Sequence, residues 1–146
     1  MTENVYQKLD RAGILDTAMR FYLEKRNYFC AIHLAGAAEE LLGAHLPPDE
    51  RIFTRAWKAE RALAFFETGQ PLEGAAARAS INEWKNEIKH MDDGTDATIA
   101  IDPPTAAAFH INQALVNFYK LGLAKSQTLR QFEDFQNQEI RQARVD

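Results

Sequence analysis

The chain has 146 residues, of which 46% are hydrophobic and 10% aromatic, a composition that excludes an intrinsically disordered protein. Its net charge of −4 at pH 7 argues against a broad electrostatic surface for nucleic acid, although it leaves room for a small local one. The single cysteine, Cys30, excludes an intrachain disulfide framework, so we expect a reducing, cytoplasmic location. The sequence has neither about 18 consecutive apolar residues nor a basic and apolar leader pattern, so we expect no membrane span and no signal peptide.

Helical periodicity dominates the first half of the chain. Apolar residues recur at spacings of three and four over Glu3–Lys25, which predicts an amphipathic helix. A central helix is predicted over Asn27–Leu46, with Asn27 as its cap and the following Pro47–Pro48 pair as its stop. A third helix is predicted from about Asp49 to Thr68, before the turn signal at Gly69. Its apolar stripe consists of Ile52, Ala56, Ala59, Leu63 and Phe66.

In the central helix, two glycines bracket a glutamate on one flank. Gly36, Glu40 and Gly43 share this flank, and His33 lies one turn before Gly36. A glycine inside a helix costs about 1 kcal/mol relative to alanine, so another group is expected to approach this backbone closely. Two interpretations remain open, namely a helix–helix contact inside the monomer, or a site or dimer seam built around Glu40 and His33.

The stretch that follows the third helix is predicted to contain a short helix with unusual polar residues. Leu72–Ala79 fits either a short helix or an approach loop. Ser80 and Glu83 then have the spacing of a capping box, which predicts a helix over Ile81–Met91. We expect the apolar residues of this helix, among them Trp84, to face the core.

The remaining helices complete the predicted fold. Pro104–Gly122 carries apolar residues on two sides and is expected to be buried. The amphipathic helix within residues 126–146 has only a narrow apolar stripe, so it should lie on a surface of its own domain or of a second subunit. Because no repeat or linker separates these elements, we predict a single domain over residues 1–146. The predicted fold is an all-α up-down bundle of five to six helices.

One arc of the Ile81–Met91 helix is the strongest candidate for chemistry. Asn82, Asn86 and His90 recur every four residues, with Lys89 beside them, whereas a merely solvated face usually carries Lys, Glu and Arg. A histidine exchanges protons near neutral pH, and an asparagine offers both a donor and an acceptor for orientation. A lysine holds a phosphate as a point charge. We therefore expect this arc to face a cleft or a second subunit.

The same segment resembles HEPN domains, small all-α proteins of bacterial toxin–antitoxin and defence systems. In that family an arginine, often followed by asparagine, precedes a histidine by four to six residues. Lys85-Asn86-Glu87-Ile88-Lys89-His90 has this shape, with Lys85 in the place of the arginine. The Ala-Gly-Ala-Ala-Glu-Glu stretch of the central helix and the run from Ala114 to Tyr119 are also similar to helices of HEPN-like proteins.

The resemblance implies a bacterial homodimer whose motif helices meet in a cleft, and a metal-independent ribonuclease activity in its active members. His90 would then be the acid and base, Asn86 its orienter, and Glu40 or His33 a supporting polar group. Asn82 and Lys89, with His33, would contact the ligand, which is expected to be RNA or a nucleotide. Lysine lacks the bidentate fork of arginine, so Lys85 implies weak or absent catalysis. An antitoxin-like protein is the partner that such families imply.

Two other interpretations remain open. Glu87 and His90 have the Glu-x-x-His spacing of metal-binding bundles, and Glu39, Glu40 and His33 are candidates for further ligands. Di-metal bundles need two such pairs and the sequence has one, so we predict no metal and no cofactor. In the other interpretation, Asn86 and His90 form a polar dimer seam without chemistry, and the last helix covers a neighbouring subunit.

Overall fold

The computed structural model describes residues 13–81 and 101–145. Every regular element in these ranges is helical, which confirms the predicted all-α class. The α-helices are α1 (Gly13–Leu23), α2 (Tyr28–Gly43), α3 (Ile52–Thr68), α4 (Gly74–Ile81), α5 (Pro103–Lys120) and α6 (Gln127–Ala143), and a 3₁₀ turn spans Pro48–Glu50. No helix within these ranges has the length and apolar character needed to cross a membrane. Apart from Ile81, the predicted Ile81–Met91 helix lies outside the described residues.

The main apolar core joins α1, α2, α5 and α6. Helix α2 packs extensively on both α1 and α5, and α6 packs on α1. The core is formed by Leu15, Ala18, Met19, Ala35, Ala38, Leu42, Ile111, Ala114, Leu115, Phe118, Leu129 and Phe132. Alanines on the facing sides of α2 and α5 allow their backbones to approach, and the larger side chains of α1 and α6 fill the remaining space. Each fully buried leucine or phenylalanine contributes about 1.5–3 kcal/mol.

The helix ends follow the local signals in the sequence. The Asn27 side chain accepts a hydrogen bond from the Cys30 backbone N–H at 3.1 Å, as expected of an N-cap. Ser126 caps α6 in the same way, by accepting from the Leu129 N–H at 3.1 Å. Gly69 ends α3 with a φ of +76°, a left-handed conformation that glycine adopts without steric cost. The predicted cap at Asn27 and the predicted end of the third helix before Gly69 are therefore confirmed.

A buried asparagine ties α5 to both α2 and α3. Asn117 is 0% exposed; its Oδ1 accepts from the Ile52 N–H at 2.9 Å, and its Nδ2 donates to the Glu39 carbonyl at 3.1 Å. Ile52 is the first residue of α3, so Asn117 supplies the cap that the preceding Arg51 side chain does not. A Cβ atom at Gly43 would lie 3.1 Å from Asn117 Nδ2. The glycine at this position thus serves a contact inside the monomer.

Three local predictions need revision or completion. Leu72–Ala79, which fitted either a helix or a loop, contributes to α4. Ser80 lies inside α4, so the prediction that it caps a helix starting at Ile81 is wrong; the alanine-rich stretch before it extends the helix through this point. Among the described residues, α3 packs chiefly on α4, α5 and the 3₁₀ turn, and Ala59, Leu63 and Phe66 of its predicted apolar stripe are exposed.

Candidate functional site

Two of the predicted site residues, His33 and Glu40, lie on α2. They are two helical turns apart on one face, which separates them by roughly 10 Å along the axis. His33 is half-buried and Glu40 is exposed, whereas the neighbouring Glu39 is only 6% exposed. The structure therefore places both residues on one side of α2 without bringing them into direct contact.

The other predicted site residues lie outside the described ranges. These residues are Asn82, Lys85, Asn86, Lys89 and His90. Their roles, and the orientation of the arc that they form, stay predictions. His110 of α5 is buried at 3% exposure and meets the Phe109 ring edge to face at 5.2 Å. Within residues 13–81 and 101–145, no group of three or more His, Cys, Asp or Glu side chains is arranged to hold a metal ion.

A cluster of cations around one indole ring is the most distinctive polar feature of the described residues. The Arg78 guanidinium lies 5.5 Å from the centroid of the Trp57 ring, and Arg61 lies 5.9 Å from it. Lys58 Nζ is also 5.9 Å from the same centroid. Each distance is within the range of a cation–π interaction. We refer to Trp57, Lys58, Arg61 and Arg78 as the tryptophan cluster.

The cluster is held in place by the α3–α4 connection. Gly69 reverses the chain after α3, and Arg61 Nε donates to the Leu72 carbonyl at 2.9 Å, which fixes the connecting segment. Ala77 of α4 is fully buried, so α4 is packed in close to its neighbours. These contacts bring Arg78 over a tryptophan that precedes it by 21 positions in the sequence.

The three cations differ in how strongly they are engaged. Lys58 Nζ pairs with Asp49 at 2.8 Å, and this hydrogen bond and charge lower the pKa of the Asp49 carboxyl. Arg61 is partly occupied by its bond to the Leu72 carbonyl. Arg78 is exposed, and the Trp57 ring is its interaction partner within the described residues. The Arg78 guanidinium is therefore the group of the cluster best able to bind an anion.

An open groove of about 320 Å³ adjoins the cluster. It is lined by Lys58, Arg61, Ala62, Phe65, Phe66 and Pro71. Phe65 and Phe66 are 55% and 88% exposed, so aromatic faces are accessible next to the cations. Guanidinium groups bind phosphate, and exposed aromatic rings stack on nucleobases. The arrangement therefore combines the two chemistries that a nucleotide requires.

The local charge also distinguishes this region from the rest of the chain. Residues 51–81 contain five basic and three acidic side chains, although the whole protein carries a net charge of −4. The cluster was not predicted from the sequence. The spacing of Trp57 and Arg61, four residues apart on a helix, was an available signal. The position of Arg78 could not be predicted from spacing, because it depends on how α4 packs against α3.

The comparisons with known proteins found no relative. The sequence matches no protein-family model, and neither a curated protein nor a solved structure is significantly similar to it.

Proposed function

We propose that this protein binds single-stranded RNA, or a nucleotide portion of it, at the tryptophan cluster and the adjoining groove. The observation that carries the proposal is the placement of three cations around Trp57, beside accessible Phe65 and Phe66 rings. Cations next to stacking platforms are the usual means of binding unpaired nucleic acid. The proposal is consistent with the net charge of −4, which argues against a broad nucleic-acid surface but not against a small basic one.

The proposal includes the HEPN-like character suggested by the Lys85–His90 segment. Under it, the protein is a homodimer related to bacterial toxin–antitoxin and defence proteins, with RNA or a nucleotide as its ligand. Any ribonuclease activity would be metal-independent and carried by His90, with Asn86 and Lys85 assisting. We expect this activity to be weak or absent, because a lysine in place of the arginine cannot bind a phosphate in bidentate fashion.

RNA binding is tested by the fluorescence anisotropy of a labelled single-stranded oligonucleotide, with mononucleotide and single-stranded DNA as competitors. Arg78→Gln is the preferred variant, since the Arg78 side chain is exposed and its guanidinium lies over the Trp57 ring. The loss of one phosphate contact should reduce the slope of log affinity against log salt by about 0.7. Arg141→Gln is the matched control, because Arg141 is an exposed arginine in the last turn of α6.

The proposal fails if the parent protein does not bind RNA at low salt, or if Arg78→Gln and Arg141→Gln have the same affinity and salt slope. Catalysis is tested separately, by incubating RNA with the parent and with His90→Ala in the presence of a chelator. Cleavage that is lost in His90→Ala would support a functional HEPN-like site. Equal cleavage by both proteins would assign it to a contaminant.

A further inference from the structure

Lys58 belongs both to the tryptophan cluster and to the wall of the adjoining groove, and its charge is already paired inside the protein. Its Nζ lies 2.8 Å from Asp49 Oδ1, and the same atom lies 5.9 Å from the centroid of the Trp57 ring. Among the described residues, the groove lining contains one other cation, Arg61, whose Nε donates to the Leu72 carbonyl. A strand that enters the groove therefore meets a lysine whose positive charge is offset by a carboxylate.

The Asp49 carboxylate is held at this position by a rigid turn. Asp49 is the middle residue of the 3₁₀ turn Pro48–Glu50. Two consecutive prolines restrict the backbone at the start of the turn, and the Glu50 N–H donates to the Pro47 carbonyl at 2.9 Å. Lys120 of α5 donates to the Glu50 carbonyl, which ties the turn to the core. The carboxylate is therefore fixed, and the lysine on its flexible four-carbon stem is the partner that can move.

We infer that Asp49 is a built-in competitor of RNA for Lys58. A phosphate that enters the groove displaces the carboxylate by drawing the flexible lysine away from the fixed turn. Because a lysine binds either anion as a point charge, without the bidentate geometry of arginine, the two anions make equivalent contacts with it. This inference rests on the proposed function and adds to it a residue that lowers the affinity of the site for its ligand.

The competition affects Lys58 and spares Arg78. Arg78 is exposed and lies 5.5 Å from the Trp57 ring centroid, so its guanidinium is open to a phosphate. The side chains of Lys58 and Asp49 are 53% and 85% exposed, so this pair can exchange partners in solvent. An ion pair this exposed is weak, and breaking it lowers the affinity of a ligand by at most about a factor of five. A strand held first at Arg78 can therefore replace Asp49 at a modest cost.

Asp49→Asn tests the inference by removing the competing charge. Anisotropy of the labelled single-stranded oligonucleotide should show about two- to fivefold tighter binding at low salt. The slope of log affinity against log salt should become steeper by up to about 0.7, because Lys58 then neutralises a phosphate. Glu50→Gln is the matched control, since it removes one negative charge from the same turn, and the Glu50 carboxylate forms no ion pair within the described ranges. It should change the affinity less than Asp49→Asn does.

Lys58→Gln supplies a second test. If Asp49 acts through Lys58, adding Asp49→Asn to Lys58→Gln should leave the RNA affinity of that variant nearly unchanged. NMR titration of the Asp49 carboxyl gives a readout that does not depend on affinity. Lys58 lowers the pKa of this carboxyl in the free protein, so a saturating oligonucleotide should raise that pKa as the lysine leaves and a phosphate approaches.

The results separate this inference from the proposed function. A parent protein that binds no RNA at low salt overturns both. If the parent binds RNA but Asp49→Asn and Glu50→Gln have equal affinities, the proposed function stands and Asp49 is not a competitor. The same conclusion follows if Asp49→Asn is as effective in the Lys58→Gln background, or if the pKa of Asp49 stays lowered in the saturated complex. Circular dichroism verifies that each variant keeps the helical content of the parent.

Discussion

Replacing Asn117 by alanine should be among the most destabilising single changes in this protein. The side chain is completely buried and bonds to two backbone groups, the Ile52 N–H and the Glu39 carbonyl, which lie 65 and 78 positions away in the chain. The variant would remove two hydrogen bonds, leave the first N–H of α3 without its cap, and create a small cavity between α2 and α5.

The expected magnitude follows from these losses. Each hydrogen bond contributes about 1 kcal/mol net, and a buried N–H left unpaired costs about 1–3 kcal/mol. We expect Asn117→Ala to lower the free energy of unfolding by about 2–3 kcal/mol. For a chain of this size, that loss corresponds to a decrease in Tm of roughly 5–10 °C.

Chemical denaturation followed by circular dichroism measures this loss directly. Asn112→Ala is the matched control, since Asn112 is a half-buried asparagine on the same helix and no hydrogen bond of its side chain occurs within the described residues. The control should change the free energy of unfolding by less than about 0.5 kcal/mol. If Asn117→Ala is as mild as this control, the role assigned to Asn117 as a tie between three helices is refuted.

Three further predictions concern single contacts. Gly43→Ala should destabilise the fold, because the new Cβ would lie 3.1 Å from Asn117 Nδ2, and denaturation that shows stabilisation would contradict this. Ser126→Ala should cost about 1–2 kcal/mol, because it removes both the cap on the Leu129 N–H and the hydrogen bond that Ser126 donates to Asp16; the same assay measures this, with Ser80→Ala as a control. The hydrogen bond from Lys125 lowers the pKa of Glu133, so this pair stabilises the fold above the ordinary carboxyl pKa and the contribution is lost as pH falls through the lowered value. Glu133→Gln should accordingly weaken the acid dependence of unfolding; an unchanged pH profile would disprove it.

Local signals in the sequence were sufficient for much of the fold. Asn27, Gly69 and Ser126 mark helix ends through interactions with residues at most four positions away, so their roles can be predicted from spacing alone. Ser80 shows the limit of such signals, because a capping pattern inside an alanine-rich stretch competes with continuation of the helix. The local pattern did not indicate which of the two would be favoured.

The long-range features were not predictable in the same way. Asn117 lies in a mostly apolar run and has no local signal for a role as the cap of α3, since its partners are defined only once α2, α3 and α5 are packed. The periodicity of apolar residues correctly predicted that α3 is helical. It could not predict which part of the protein packs against its apolar face, because periodicity describes a helix and not its neighbours. For the same reason the contact between Arg78 and Trp57 emerged only from the structure.

The described residues divide into a part that maintains the fold and a part that is available for binding. The buried apolar core belongs to α1, α2, α5 and α6, whereas α3 has no fully buried side chain and α4 has only Ala77. The tryptophan cluster and the groove beside it both lie on this second part, which is anchored to the core by Asn117 at the start of α3. A surface change such as Arg78→Gln should therefore alter RNA binding while the free energy of unfolding stays within about 0.5 kcal/mol of the parent. Asn117→Ala should affect both RNA binding and stability, because it releases the helix that carries the tryptophan cluster.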